Sequence, residues 1–268
     1  IDPNSRGGGT MSSRTRGIIT RPSDDATLEF ITISSTGNSA EFGEDTIARN
    51  GAIMSNQTRG INASGGPGAV NGISYVTIAQ LGNAVDFGDV TLGTGIYGTS
   101  GLGNATRGII LAGRIAPSPA SDGNTMHYIT MSTLGNSADF GDVSAGGIYA
   151  AGTAANATRG LILGIRSGGQ PAQSNFIDFV NIASLGNSVR FGELNKSNDP
   201  YASYNGTGLA SPTRAVYCGG YGTPVPTYSI VNTIEYVQIM SEGNAIDFGD
   251  LSQVVKGAAG MSNGHGGL

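Results

Sequence analysis

The 268-residue chain predicts an all-β protein, a β-propeller of four-stranded antiparallel blades with five blades expected. Three observations predict it. One phrase, Gly-Asn followed by Phe-Gly and an acid, occurs five times: Gly37-Asn38 with Phe42-Gly43-Glu44, Gly82-Asn83 with Phe87-Gly88-Asp89, Gly135-Asn136 with Phe140-Gly141-Asp142, Gly186-Asn187 with Phe191-Gly192-Glu193, and Gly243-Asn244 with Phe248-Gly249-Asp250. The phenylalanines are 45, 53, 51 and 57 residues apart, a period that belongs to arrays of small sheet units. A second phrase precedes each copy: Thr15-Arg16-Gly17, Thr58-Arg59-Gly60, Thr106-Arg107-Gly108, Thr158-Arg159-Gly160 and Thr213-Arg214-Ala215. Between the two phrases lies a segment that alternates at period two, as a strand does.

Each unit opens on small residues, such as Ala52-Ile53-Met54-Ser55-Asn56, Gly95-Ile96-Tyr97-Gly98-Thr99 and Gly147-Ile148-Tyr149-Ala150-Ala151, which suit an inner strand crowded at a central axis. The Thr-Arg-Gly strand follows, with short apolar runs such as Ile109-Ile110-Leu111, Leu161-Ile162-Leu163 and Val216-Tyr217-Cys218. The third strand keeps its columns: Leu28-Glu29-Phe30-Ile31-Thr32-Ile33 aligns with Ile73 to Ile78, Met126 to Met131, Ile177 to Ile182 and Ile234 to Ile239. Its aromatic and β-branched positions favour a pleated sheet. His127 shares a column with Glu29, Ser74, Asp178 and Glu235, and is expected on a solvated face. Gly-Asn then turns the chain into the Phe-Gly strand, since both residues tolerate positive φ. The whole chain, 1–268, is one domain of units 1–46, 47–90, 91–143, 144–194 and 195–251, with 252–268 a surplus inner strand. Six inner strands for five blades is one too many. Either one is redundant in a closed ring, or it completes a neighbouring chain, or the natural protein carries further blades. A closed ring of five is the expectation.

This order of signals resembles kelch repeats, in which a small-residue inner strand leads to an apolar strand ending in paired glycines, then an aromatic strand and an outer strand with a large aromatic. Gly219-Gly220 fit the glycine pair and Ala112-Gly113 approximate it, whereas the first and fourth units lack it. There is no tryptophan, so the resemblance puts Phe42, Phe87, Phe140, Phe191 and Phe248 in the place of the outer-strand aromatic. Units of the Thr-Arg-Gly…Gly-Asn-X-X-Asp-Phe-Gly-Asp type also look like repeats of bacteriophage virion and tail-fibre proteins. That likeness implies a virion or extracellular surface location, host attachment, and other virion or surface proteins as partners.

Composition narrows the function. Gly is abundant at 45 residues without a Gly-X-Y period, which excludes collagen. Charged residues make up 12% and the net charge is −5, with no basic run, so nucleic acid is not an expected partner. No apolar stretch approaches the ~18 residues of a membrane span, and membrane insertion is not expected. One cysteine, Cys218, and two separated histidines, His127 and His265, do not make a zinc site, and no metal or cofactor is expected. Asp-Phe-Gly at Asp86, Asp139 and Asp247 is a kinase magnesium motif elsewhere, but here it repeats without a phosphate loop or strand lysine. No catalytic residue is assigned.

Two structural sets and one binding set remain. Arg16, Arg59, Arg107, Arg159 and Arg214 are expected to pair with carboxylates of the Phe-Gly-acid strand, Asp89, Asp142, Glu193 and Asp250 among them, because guanidinium forks suit bidentate pairing. The five phenylalanines are expected at blade-to-blade contacts. Antiparallel order sets the near-invariant turns on one rim and every variable connection on the other, where recognition residues concentrate. Tyr201, Tyr204, Tyr221 and Tyr228, in the loops of the fifth unit, are the candidate ligand contacts, suited to stacking on a sugar or anchoring a protein. The expected function is therefore a non-enzymatic propeller presenting loops to a glycan or protein receptor. The alternative is an assembly module that joins subunits, including copies of itself, through the uniform rim or the terminal strand.

Overall fold

A computed structural model describes residues 9–21, 25–47, 51–65, 70–92, 95–115, 121–144, 147–165, 175–195, 205–222 and 229–260. Five four-stranded sheets succeed one another, each antiparallel and each ordered from inner to outer strand as the chain runs. Blade one comprises Thr10–Ser12, Arg16–Thr20, Thr27–Thr32 and Ala40–Glu44. Blade two comprises Ala52–Ser55, Arg59–Gly65, Val70–Thr77 and Val85–Asp89, and blade three Ser100–Gly103, Arg107–Leu111, Thr125–Thr130 and Ala138–Asp142. Gly152–Ala155, Arg159–Leu163, Phe176–Asn181 and Val189–Glu193 form blade four; Thr207–Ala210, Arg214–Cys218, Thr233–Gln238 and Ile246–Asp250 form blade five. The expected β-propeller is the observed fold.

Every inner strand ends four residues before its Thr-Arg-Gly arginine, so the arginine sets the register of the unit. In blades three and four this moves the inner strand past the expected Ile96-Tyr97 and Ile148-Tyr149 segments. Ile96–Tyr97 instead pairs with Arg114–Ile115, which also pairs with Ser121–Asp122, as a small accessory sheet. Apolar content alone could not separate that two-residue ladder from the small-residue strand beside it.

The blades are held together by one junction that recurs four times. On the third strand, successive side chains point to opposite neighbours, so each blade has a forward and a backward face. Opposite Leu28 and Glu29 the outer strand skips from Gly43 to Glu41, leaving Phe42 as a bulged residue; the same shift recurs in all five blades. The bulge aims the phenylalanine forward, edge-on to the aromatic of its own third strand, with ring centroids 6.2 Å apart for Phe30–Phe42 and 6.3 Å for Tyr128–Phe140. The next blade's Gly-Asn turn then closes over it: Gly82 N donates to Phe42 O at 2.9 Å and Ala84 N to Glu44 O at 2.7 Å. Gly135, Gly186 and Gly243 repeat the first bond on Phe87, Phe140 and Phe191. The approach is so close that a Cβ on Gly43 would stand 2.3 Å from Gly82 O, and one on Gly141 2.5 Å from Gly186 O. Phe-Gly is thus required by the neighbour's backbone. Four apolar clusters fill the four junctions, with Phe42, Phe87, Phe140 and Phe191 each in a different one.

Two expectations fail at these junctions. The arginines do not meet the Phe-Gly acids. Arg16 lies level with Thr32 on the third strand, whereas Glu44 lies level with Thr27 at its other end. At ~3.3 Å per residue that is roughly 16 Å, too far for a salt bridge. Each guanidinium instead covers the aromatic ring of its own blade, Arg16 on Phe30, Arg59 on Tyr75, Arg107 on Tyr128, Arg159 on Phe179 and Arg214 on Tyr236, at 4.1–4.8 Å from the centroid. The first four then donate from Nη1 to a carbonyl of the following blade: Ile78, Met131, Ile182 and Ile239, at 2.7, 2.9, 2.8 and 3.1 Å. Asp89, Glu193 and Asp250 are exposed and Asp142 is half-buried. The only contact of these arginines with a carboxylate among the described residues is Arg159 to Glu242, at 3.8 Å.

The ring, moreover, is not closed by a fifth copy of the junction. Phe248 is stacked on Tyr236 at 5.9 Å, yet it is 53% exposed, against 2–4% for its four counterparts. It is therefore not a buried blade-to-blade contact. The reason is geometric: among the described residues no Gly-Asn turn lies over it, and nothing stands within 4 Å of a Cβ built on Gly249.

Candidate functional site

The turn rim is a hydrogen-bonded belt. Asn56 Oδ1 accepts from the amides of Thr58 and Arg59 at 2.9 and 2.8 Å, fixing its own turn, while its Nδ2 donates to Ala105 O of blade three at 3.0 Å. Asn104 donates likewise to Ala157 O and Asn156 to Pro212 O, at 2.8 and 3.0 Å. The Gly-Asn asparagines act between blades as well: Asn83, Asn136, Asn187 and Asn244 accept, at 2.9–3.1 Å, from the amides of Glu44, Asp89, Asp142 and Glu193. The sequence reading took these asparagines as turn formers only. Their presence in every unit, where glycine alone would satisfy the turn, was the available signal.

Opposite lies the rim of variable connections. Of the four tyrosines expected there, Tyr201, Tyr204 and Tyr228 lie outside the described residues. Tyr221 is half-buried, its backbone bridged to Ile230 and its hydroxyl 2.6 Å from Lys256 Nζ. The ammonium also lies 4.9 Å from the ring centroid, so the ring is held from one end by a cation. Lys256 belongs to the segment that follows blade five, whose Val255 O accepts from Gly220 N at 2.8 Å. No repeat signal marked that lysine. On blade one, Arg21 bridges Asp25 and Glu29, both at 2.8 Å, in an exposed cluster. The Thr27 hydroxyl and amide, then Arg21, hold the Asp25 carboxyl down to about 2.

At the axis the inner strands enclose a cavity of about 180 Å³. Its walls carry the hydroxyls of Thr10, Ser12, Ser55 and Thr153, the aliphatic side chains of Ile53 and Leu209, and main chain from several glycines. The volume is room for roughly six waters, below the ~300 Å³ where small-molecule pockets begin.

The polar column of the third strand is buried at Ser74, His127, Asp178 and Glu235 and half-buried at Glu29, rather than solvated. His127 is 4% exposed because it points backward into a junction rather than out of the sheet. There its Nδ1 lies 3.4 Å from the hydroxyls of both Thr91 and Ser137. Burial pushes the imidazole below its ordinary 6.5, against the pull of Asp139. The same column places Ser74 on Asp45 at 2.7 Å, with Asn62 on that carboxylate at 3.0 Å. In blade four, Asp178 accepts from Ser144, Ser188 and Arg190 Nε at 2.5, 2.7 and 3.0 Å. The first three junctions thus each have their own polar set. Cys218 is buried, as its alignment with Leu111 and Leu163 suggests. Among the described residues no group of three or more His, Cys, Asp or Glu is placed to hold a metal ion, and no helix is long and apolar enough to cross a membrane.

No protein-family model matches the chain, and no curated protein matches its sequence. Among solved structures, one described as the structure of YjhT superposes with a TM-score of 0.75 at 8% identity, covering 95% of this chain and 86% of that one. The likeness is one of fold.

Proposed function

We propose that this protein is a non-enzymatic binding propeller, a virion or cell-surface component that presents the loops of one rim to a glycan or protein receptor. The observation that carries the reading is how the repeated residues are used. At the four blade-to-blade junctions the repeated arginine, asparagine, glycine and phenylalanine are engaged in the contact or in the turn belt. What differs most in sequence between units is the connections from second to third strand and from blade to blade, and loops on a rigid frame are where recognition concentrates. Tyr221, held by Lys256, offers a ring of the kind that stacks on a sugar or anchors a protein.

Glycan-array and host-cell adhesion assays with the full chain test this, beside Tyr221→Ala and a variant with loop 198–204 shortened. Binding that these changes abolish, with the thermal midpoint retained, is the expected result. No binding, or binding indifferent to both changes, overturns it. A second reading, assembly through the uniform rim, is favoured by Leu81, Leu134 and Leu185, which occupy one place in three successive turns and are 55–58% exposed. It predicts concentration-dependent association that Leu134→Glu abolishes.

A further inference from the structure

The two faces left over by the ring are complementary halves of the same junction. Blade five offers the forward half: Phe248 half-exposed, Gly249 with no neighbour, and Arg214 stacked on Tyr236 without the carbonyl bond that the other four arginines make. Blade one offers the backward half. Ile33 is 37% exposed where Ile78, Met131, Ile182 and Ile239 are 0–1%, and Ser39 is exposed where Ser137 and Ser188 are buried. Were these halves in contact, Gly37 N would meet Phe248 O and Arg214 would reach Ile33 O. Neither bond is present among the described residues. These two faces do not form the junction seen between the other blades.

The axis shows what stands between them. Thr153, on the inner strand of blade four, donates from Oγ1 to Gly101 O of blade three's inner strand at 2.6 Å. Thr10, at the same register in blade one, donates to Gly260 O, also at 2.6 Å. Gly260 therefore stands before blade one as an inner strand stands before the next. On its other side a Cβ at Gly260 would meet Leu209, of blade five's inner strand, at 2.3 Å. The sequence agrees: Gly260-Met261-Ser262-Asn263 repeats Ile53-Met54-Ser55-Asn56.

We propose that the space between blades five and one takes a sixth blade of this same repeat, whose inner strand starts at Gly260. Its remaining strands are joined covalently to that inner strand, in the order seen in every unit: Thr-Arg-Gly, aromatic, Phe-Gly. The polar sets specify its faces. Ser252 stands four residues after Phe248 as Ser144 stands after Phe140, so the sixth blade's backward face carries a carboxylate like Asp178 with a serine like Ser188. Its forward face meets Glu29, which takes the column position of Glu235, so the matching forward face is that of blade four.

The test replaces residues 264–268 of the full chain by a second copy of 157–195, matched on both faces. A rise in the thermal midpoint of about 5 °C or more is expected. In the extended protein Phe248→Ala should lower the midpoint as much as Phe191→Ala does; in the 268-residue chain its effect should be less than half as large. An unchanged midpoint with an equally mild Phe248→Ala overturns the proposal. So does self-association of the 268-residue chain that Phe248→Lys and Ile33→Lys both disperse, which would make a second copy the occupant. If the extended protein does not fold, the native chain still decides. Arg214→Ala and Ile33→Ser should shift its midpoint far less than Arg159→Ala and Ile182→Ser, and equal shifts would mean that blades five and one already meet.

Discussion

Arg107 and Asp142 recur together in every unit, yet they sit at opposite ends of a blade, and their energetic roles differ accordingly. Arg107 covers the Tyr128 ring at 4.6 Å and donates to Ile182 O at 2.8 Å, so it is both a cation–π partner and a charge-assisted donor across a junction. Arg107→Ala should cost about 2–3 kcal/mol in urea unfolding. Arg107→Lys should recover only part of that, because an ammonium lacks the planar fork. Asp142→Asn should stay within about 0.5 kcal/mol, since what its unit uses is the backbone: its amide donates to Asn187 Oδ1 at 2.9 Å. Spacing reveals that two residue types travel together, but only strand register reveals whether they touch. His127 was misread for a related reason. Alternation in a propeller blade separates two buried faces, not a core from solvent. With its imidazole pushed below 6.5 by burial, the folded protein takes up the proton later than the unfolded chain as pH falls. Stability is thus complete above about pH 6.5 and declines as pH drops below it. Thermal midpoints between pH 7.5 and 5 should show this slope, and His127→Gln should remove its share, with Thr91, Ser137 and Asp139 left in place.

The recurring element is the bulged Phe-Gly strand clasped by the next unit's turn, and one pair of glycines isolates what the clasp is worth. Gly141 and Gly249 share a φ of 138°. A Cβ on Gly141 would stand 2.5 Å from the carbonyl carbon and oxygen of Gly186, whereas one on Gly249 would meet nothing within 4 Å. Both alanine variants carry the same backbone strain, so any difference between them is the clasp. Gly141→Ala should be the more destabilising by about 1–3 kcal/mol, read from chemical denaturation. This element was legible in outline, because Gly-Asn and Phe-Gly repeat without fail. That one phrase grips the other across blades was not, since the contact joins residues 40 or more positions apart, such as Gly82 and Phe42 at 2.9 Å. The inner strands were legible only where Met54 or Ala52 marked them. In blades three and four the more apolar Ile96-Tyr97 and Ile148-Tyr149 drew attention from Ser100–Gly103 and Gly152–Ala155.

Across the whole molecule, stability should be graded rather than uniform, because each blade touches only its neighbours, and such arrays behave as chains of nearest-neighbour terms. Blade three is clasped on both sides and blade five on one. Hydrogen exchange should therefore find the Asp250 amide, which has no asparagine acceptor, unprotected under conditions where the Asp142 amide is slow. Equal protection would mean a uniform ring. Blade number and order of strands were readable from five copies of a phrase, but closure was not: composition cannot say whether two end faces meet or leave a place between them. The private polar sets carry a last consequence. Asp45 with Ser74 and Asn62, Thr91 with His127 and Ser137, and Ser144 with Asp178 and Ser188 make three of the four seams different locks. Units alike enough to recombine are thereby kept from being shuffled: a transposed blade would face a mismatched key, so the order in which the copies were inherited is written into their seams.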